Sequence, residues 1–190
     1  MQMELRLAST EDSQALLDIY RYYIENTVIT FETQTPTIDV FAQRIRDISG
    51  TYPYLVCLAD GKIMGYAYAA KNRERAAYRF NVDTSIYIQK EYHGYGVGSR
   101  LYHSLFSILR SLGYVNAYAC ITLPNPKSQR FHEKHGFSPV GIFRKTGYKM
   151  GSWHDVAWFE KQLRPYINPP IPVKNITELS HKELQRMLME

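Results

Sequence analysis

The sequence predicts one mixed domain of the α/β (α+β) class. Three observations carry this. Segments with a 3.6-residue apolar period alternate with segments of period two. A tight-turn pair, Asp60-Gly61, sits between two apolar runs and marks a hairpin. The 190 residues are 45% hydrophobic and 22% charged, which suits a single packed core rather than disorder or a repeat array. Hairpins among the helices argue for a mixed sheet rather than a regular βαβ repeat.

The elements follow in order. Residues 3–7 alternate as a short strand. Ser9-Thr-Glu-Asp opens a helix, with Thr10 as the expected N-cap. Its stripe is Leu16, Leu17, Ile19, Tyr20, Tyr23 and Ile24. A second helix starts after Thr35-Pro-Thr, carries Val40, Phe41, Ile45 and Ile48, and ends at Gly50 and Pro53. Residues 54–59 and 62–68 form the hairpin arms. The charged stretch 71–77 reads as a loop, and 81–89 as a strand. A glycine-rich turn follows. Val97, Leu101, Leu105, Ile108, Leu109 and Leu112 then form a helical stripe that Gly113 ends. Residues 114–123 read as a strand. A short helix, opened by Pro124-Asn-Pro and closed by Gly136, precedes strands at 140–146 and 154–162. Residues 1–166 are thus the expected domain. Residues 167–190 are a proline-rich linker and a short helix, in which Ser180 and Glu183 suggest a capping box. Leu184, Met187 and Leu188 give that helix a narrow apolar face for docking on the domain or on a second copy.

Composition narrows the function. No apolar run approaches the roughly 18 residues of a membrane span. The N-terminus lacks the apolar core of a signal peptide, so a cytoplasmic location is expected. Cys57 and Cys120 lie in apolar runs and read as buried free thiols. The net charge of +5 favours anionic ligands. No dense Lys/Arg block points to nucleic acid. The six histidines form no metal-ligand pattern with Cys or carboxylates. No nucleophile triad stands out.

The chemical signal is the strand–turn–helix at residues 85–100. Gly94, Gly96 and Gly98 leave amides unobstructed where a helix presents its N-terminal N–H groups, an anion site suited to a phosphate or pyrophosphate. A dinucleotide fingerprint needs Gly-x-Gly-x-x-Gly and a distant acidic residue; here the spacing is Gly-x-Gly-x-Gly. A P-loop needs a lysine that Gly98-Ser99-Arg100 lacks. The pyrophosphate loop of an acyl-coenzyme A enzyme and a glycine turn without a ligand remain open on these residues alone.

His93-Gly-Tyr-Gly-Val-Gly98 resembles the Gln/Arg-x-x-Gly-x-Gly/Ala loop of the GNAT superfamily of N-acetyltransferases. The segment Asn125-Pro-Lys-Ser-Gln-Arg-Phe-His-Glu-Lys-His-Gly-Phe137 is similar to its Asn-x-x-Ala/Ser…Tyr-Glu-Lys-x-Gly-Phe run. Thr30-Phe-Glu-Thr-Gln-Thr-Pro, Leu123-Pro-Asn and the segment at 147–156 resemble the phosphinothricin acetyltransferase branch. His93 departs from the usual Gln or Arg, and His132 stands where many relatives carry tyrosine. The resemblance implies the GNAT fold: a central, mostly antiparallel mixed sheet, splayed at the acetyl-CoA site and flanked by helices. It implies that the backbone of Ile86, Tyr87 and Ile88 lines up the pantetheine arm. His93, Gly94, Tyr95, Gly96, Val97, Gly98 and Ser99 would hold the pyrophosphate, and Asn125 and Ser128 would lie near the reactive end of the coenzyme. A coenzyme with three phosphate groups accounts for the positive charge as well as nucleic acid would.

Acetyl transfer needs a neutral amine, so a base helps. Asp83 stands where the family places a glutamate, and its shorter reach favours a bridging water. His132 would protonate the leaving thiolate or help deprotonate the amine. Arg75 and Tyr78 match acceptor-holding positions, an arginine suiting a carboxylate. Phe31, Glu32 and Tyr148 would flank the same pocket. Strand aromatics such as Tyr148 and Trp153 are commonly core, whereas the family brings this hairpin to the acceptor pocket and a dimer interface. The implied activity is acetyl transfer from acetyl-CoA to a small amino acid or analogue, such as phosphinothricin or methionine sulfone or sulfoximine, without a metal, in a homodimer. Acetylation of a protein or peptide and a coenzyme-binding module without turnover are the alternatives.

Overall fold

The computed structural model describes residues 2–189. The strands are β1 (Glu4–Leu7), β2 (Tyr54–Ala59), β3 (Lys62–Lys71), β4 (Asn81–Ile88), β5 (Asn116–Thr122), β6 (Ser138–Lys149) and β7 (Ser152–Gln162). The helices are α1 (Ser13–Asn26), α2 (Ile38–Ser49), α3 (Val97–Leu112), α4 (Pro126–Lys134) and α5 (His181–Met189). The strands form one sheet in the order β1-β2-β3-β4-β5-β7-β6. Every neighbouring pair is antiparallel except β4 and β5.

Each face of the sheet carries its own core. On one face α1 and α2 lay Leu16, Tyr20, Tyr23, Phe41 and Ile45 over Tyr54, Val56 and Tyr66. On the other, α3 contributes Leu101, Leu105, Ile108 and Leu112 against Leu55, Ala67 and Ala117. Strand alternation explains the division, because successive side chains point to opposite faces.

The parallel pair positions the site. β4 and β5 pair only through Asn81–Asn116, Val82–Ala117 and Asp83–Tyr118. Beyond Asp83 and Tyr118 both strands continue, but apart. β4 instead stays close to β3. A Cβ on Gly65 would lie 2.9 Å from the Tyr87 carbonyl oxygen, so only glycine lets the two strands approach so closely there.

The tail packs on the same core. Ile176, Met187 and Leu188 are buried with the α3 side chains. Lys174 N–H donates to Leu112 O at 2.8 Å, and Ile176 N–H to Thr51 O at 3.0 Å. Gly113 ends α3 at φ +95°, and a Cβ there would sit 2.9 Å from Pro172 O, so the tail crosses directly over this glycine.

Several expectations shift. Ser9, not Thr10, caps the first turn; its backbone N–H donates to Asp12, and α1 begins only at Ser13. Val40 is exposed rather than part of the buried stripe of α2. β6 and β7 run longer than 140–146 and 154–162, because the pairing continues to Lys149–Ser152 across a shifted register. Tyr148 and Trp153 pack against each other with tilted rings, centroids 5.2 Å apart, on the outside of that hairpin, about 60% exposed, rather than in a core. Cys57 is buried, and burial pushes its thiol up to about 11. Cys120 is exposed, because β5 turns this residue toward the gap between β4 and β5.

Candidate active site

The divergence of β4 from β5 opens a cleft. Thr84, Ser85, Ile86 and Tyr87 line one wall, and Ala119, Cys120, Ile121 and Thr122 the other. Tyr102, Asn125, Ser128 and His132 close it from the α3–α4 side, and Ile29 borders it opposite. Gln89 N–H donates to Met64 O on β3, which fixes the alternation: Tyr87 turns its backbone groups to β3, and Ile86 and Ile88 turn theirs to the cleft. The carbonyl of Ile88 is already occupied. Tyr23 Oη donates to it at 2.5 Å, and His93 Nε2 lies 3.1 Å away. Ile86 is left with the open edge, and the side chain of Tyr87 joins Tyr20, Tyr23 and Tyr66 on the α1–α2 face.

At the mouth of the cleft the chain bends into α3. Gly94 and Gly96 have φ of +86° and +85°, a region costly for other residues. Gly98 serves a different purpose. Its absent Cβ makes room for the Phe131 ring, which would otherwise lie 3.1 Å from it. The first amide to find an acceptor is Arg100 N–H, on Gly96 O at 3.1 Å. The amides of Val97, Gly98 and Ser99 therefore project from the helix end toward solvent, a cradle for anionic oxygens. Tyr95 is exposed at its rim.

Asp83 sits at the apex, on the last residue pair before the strands part. Asn72 Nδ2 donates to its Oδ1 at 2.6 Å. Burial raises its pKa above the ordinary aspartate value, against the Asn72 hydrogen bond and the nearby Arg73. Alternation puts Asp83 on the α1–α2 face with Ser85 and Tyr87.

His132 lies on the opposite face, 4% exposed. Its Nδ1 is 2.8 Å from Ser128 O, so that nitrogen carries the proton and donates. Its Nε2 then accepts from Tyr102 Oη at 2.9 Å. Desolvation lowers its pKa, so the ring stays neutral near neutral pH. Asn125 spends its side-chain oxygen on capping α4, accepting from Ser128 N–H at 3.2 Å. Tyr102 was not legible as a site residue. It falls within the apolar stripe of α3, and only the folding of α4 over it brings its hydroxyl to the cleft.

The α1–α2 loop borders the cleft from the other side. Lys149 is buried, and its Nζ donates to Thr30 O at 2.8 Å; burial lowers its pKa. Thr122 Oγ1 donates to Ile29 O at 3.4 Å. Phe31 packs on Gly147, where no Cβ fits beneath the ring. Glu32 Oε1 accepts from Arg44 at 2.6 Å and from Tyr20 Oη at 3.0 Å, beside a small pocket walled by Tyr54, Tyr66, Tyr68 and Tyr87. Lys149, Arg44 and Arg73 are the cationic groups that sequence reading passed over, since none belongs to a motif. Arg75 and Tyr78 sit on an exposed turn outside the residues that line the cleft. Tyr148 points away from the cleft of its own chain. Among the described residues no group of three or more His, Cys, Asp or Glu could hold a metal.

The chain is similar to known proteins over most of its length. The family model of the acetyltransferase (GNAT) domain matches residues 5–158. A phosphinothricin N-acetyltransferase of Streptomyces viridochromogenes is 33% identical, covering 93% of this chain and 96% of the relative. An L-methionine sulfoximine/L-methionine sulfone acetyltransferase of Salmonella typhimurium is 28% identical, covering 88% and 98%. Among solved structures, a GNAT superfamily phosphinothricin acetyltransferase from Sinorhizobium meliloti, in complex with acetyl-CoA, superposes with a TM-score of 0.84 at 34% identity. It covers 93% of this chain and 99% of its own.

Proposed function

The chain belongs to the GNAT acetyltransferase family, and from that premise we propose that it acetylates the amine of a small amino acid or amino-acid analogue by direct transfer from acetyl-CoA. Phosphinothricin and the sulfone and sulfoximine of methionine are the acceptors that the names of its relatives suggest. The observation that carries the reading is the opening between β4 and β5. It ends in free helix amides at one side and in a carboxylate of raised pKa at its apex.

The coenzyme supplies a thioester whose carbonyl carbon the amine attacks, forming the C–N bond as the C–S bond breaks. The chain's residues do the rest. The amides at the start of α3 bind the pyrophosphate, and the open edge of Ile86 offers strand-like hydrogen bonds to the amide-bearing arm. His93 and Tyr23 complete the strand end at Ile88. Asp83 takes the proton that the amine loses, directly or through a water, and its raised pKa makes it the better acceptor. Tyr102, whose O–H donates to His132 Nε2 in the free enzyme, turns that hydrogen to the developing thiolate, so His132 positions the hydroxyl and acts through Tyr102. Asn125 and Ser128 shape the wall beside them. Glu32 and Phe31 border the acceptor from the α1–α2 loop. Arg75 and Tyr78, on the exposed turn before β4 and outside the cleft lining, hold the acceptor only if that turn folds over it.

Val140, Ile142, Phe143, Met150 and Trp153 leave a wide apolar surface exposed on the β6–β7 hairpin, whose β6 is an edge strand. A homodimer formed along that edge covers it and carries Tyr148 toward the partner. The unpaired Cys57 and Cys120 suit the reducing cytoplasm. No helix among the described residues is long and apolar enough to cross a membrane.

The test is thiol release from acetyl-CoA with a panel of amino acids, their sulfone, sulfoximine and phosphinate analogues, polyamines and peptides. Turnover on the small amino-acid group supports the proposal. Turnover on peptides alone replaces it with the protein-acetylating reading. Coenzyme binding without thiol release on any amine leaves a binding module.

A further inference from the structure

Beside α3, on the far side of α4 from the cleft, five basic side chains converge around a basin of about 360 Å³. They are His103 and Arg110 of α3, Lys134 and His135 at the end of α4, and Lys161 of β7. No carboxylate lines it. Among the described residues neither Arg110, Lys134 nor Lys161 is in a salt bridge. Like charges brought together without a counter-ion repel, and a fold tolerates that most readily where an anion completes the site.

The basin is built rather than a chance of mobile surface chains. Lys161 Nζ lies over the Phe106 ring at 5.4 Å and against Gly136, where a Cβ would stand 2.7 Å from it. The carbonyl end of α4 favours one cation there, but not the three of Arg110, Lys134 and Lys161. The pKa of Lys161 is lowered, first by burial and then by Arg110, and that of His135 by burial, Lys134, Lys161 and His103. The basin also joins the glycine cradle. His135 Nε2 is 3.0 Å from Ser99 Oγ, and His103 lies one helical turn beyond Ser99, about 6 Å along α3.

We infer that this basin is a second phosphate site, set off from the pyrophosphate cradle along α3, which takes a phosphate monoester or a free phosphoanion. Two sources fit the chemistry. One is the 3′-phosphate of the bound coenzyme itself, a source that rests on the function proposed above. The other is a free phosphoanion acting on the enzyme. The link through Ser99 and His135 makes any anion there sensitive to occupancy of the cradle.

The experiment compares the full-length wild type with Arg110→Gln/Lys161→Gln, folding being checked by thermal melting, and with Lys134→Gln at an exposed position as a second variant. Calorimetry measures acetyl-CoA and its 3′-dephospho form. Inorganic pyrophosphate is titrated separately while the His103 and His135 ring protons are followed by NMR; both proteins keep the same cradle, so their difference reports the basin. If the coenzyme's own phosphate is the ligand, the wild type prefers the 3′-phosphorylated form by about tenfold. The double variant then loses that preference without weakening toward the dephospho form, and Lys134→Gln loses part of it. If a free phosphoanion is the ligand, pyrophosphate shifts His103 in the wild type and not in the double variant, and His135 more in the wild type than in the variant, with no coenzyme preference. Equal behaviour of wild type and variants in both arms overturns the inference. Failure of either coenzyme form to bind, with the pyrophosphate arm positive, would strike the proposed function and leave this site standing.

Discussion

Asp83 sits on the last residue pair before the cleft opens and His132 lines the cleft on the opposite face of the sheet, and burial moves their proton affinities in opposite directions. For Asp83 the folded pKa lies above the unfolded one, so ionising it costs the fold stability as pH rises through that raised value. Activity gains over the same interval, since only the carboxylate accepts a proton. The acid limb of kcat/KM is therefore expected above the ordinary aspartate range. Asp83→Asn is expected to remove that limb and to lower kcat at least about tenfold. Calorimetry should show coenzyme affinity retained. Unchanged turnover in a folded variant would exclude Asp83 as the base. His132 is the reverse case. Its folded pKa is lowered, so stability is lost as pH falls from the ordinary histidine value through the lowered one. Tyr102→Phe removes the donor to His132 Nε2. It is expected to cost about 1–3 kcal/mol of stability and to lower kcat with KM for the coenzyme held. A loss of stability with kcat intact would make the pair a packing device only.

The glycine bend and α4 act as units. Gly96 has open space around it, so a substitution there tests backbone conformation and not packing. Gly96→Val is expected to cost about 1–2 kcal/mol, because φ +85° strains a β-branched residue. It should also weaken acetyl-CoA binding by displacing the amides that follow. Gly96→Asn, which tolerates the left-handed region better, should be milder in both readouts. Equal affinity in Gly96→Val and the wild type would show that the cradle does not depend on this bend. The α1–α2 loop is held differently. Lys149 reaches it from β6 and Thr122 from β5, so the acceptor side of the cleft depends on strands more than 90 residues away in sequence.

Across the whole molecule the sheet has one covered end and one bare one. At β1 the tail helix α5 packs over the core. At β6 the edge and its apolar residues are open. Phe143 is 57% exposed, so Phe143→Glu should change monomer stability by no more than about 0.5 kcal/mol. Sedimentation equilibrium should nevertheless show it as a monomer at concentrations where the wild type is a dimer. A wild type that sediments as a monomer would remove the dimer from the proposed function.

The sequence by itself determined the order of elements, the hairpin at Asp60-Gly61, the glycine bend and α3, because each rests on local periodicity or backbone preference. Asp83 and His132 stood out through the resemblance to the family, not through any local pattern of their own. Where β4 and β5 part, only the tertiary structure decided: divergence is a relation between strands, and Gly65 on a third strand helps to set it. The same holds for Tyr102 at the cleft, for Lys149 on the acceptor loop and for the exposed side of the late hairpin. In each case the decisive contact joins residues far apart in sequence. A one-dimensional pattern records which side chains are apolar, but not which of them will meet.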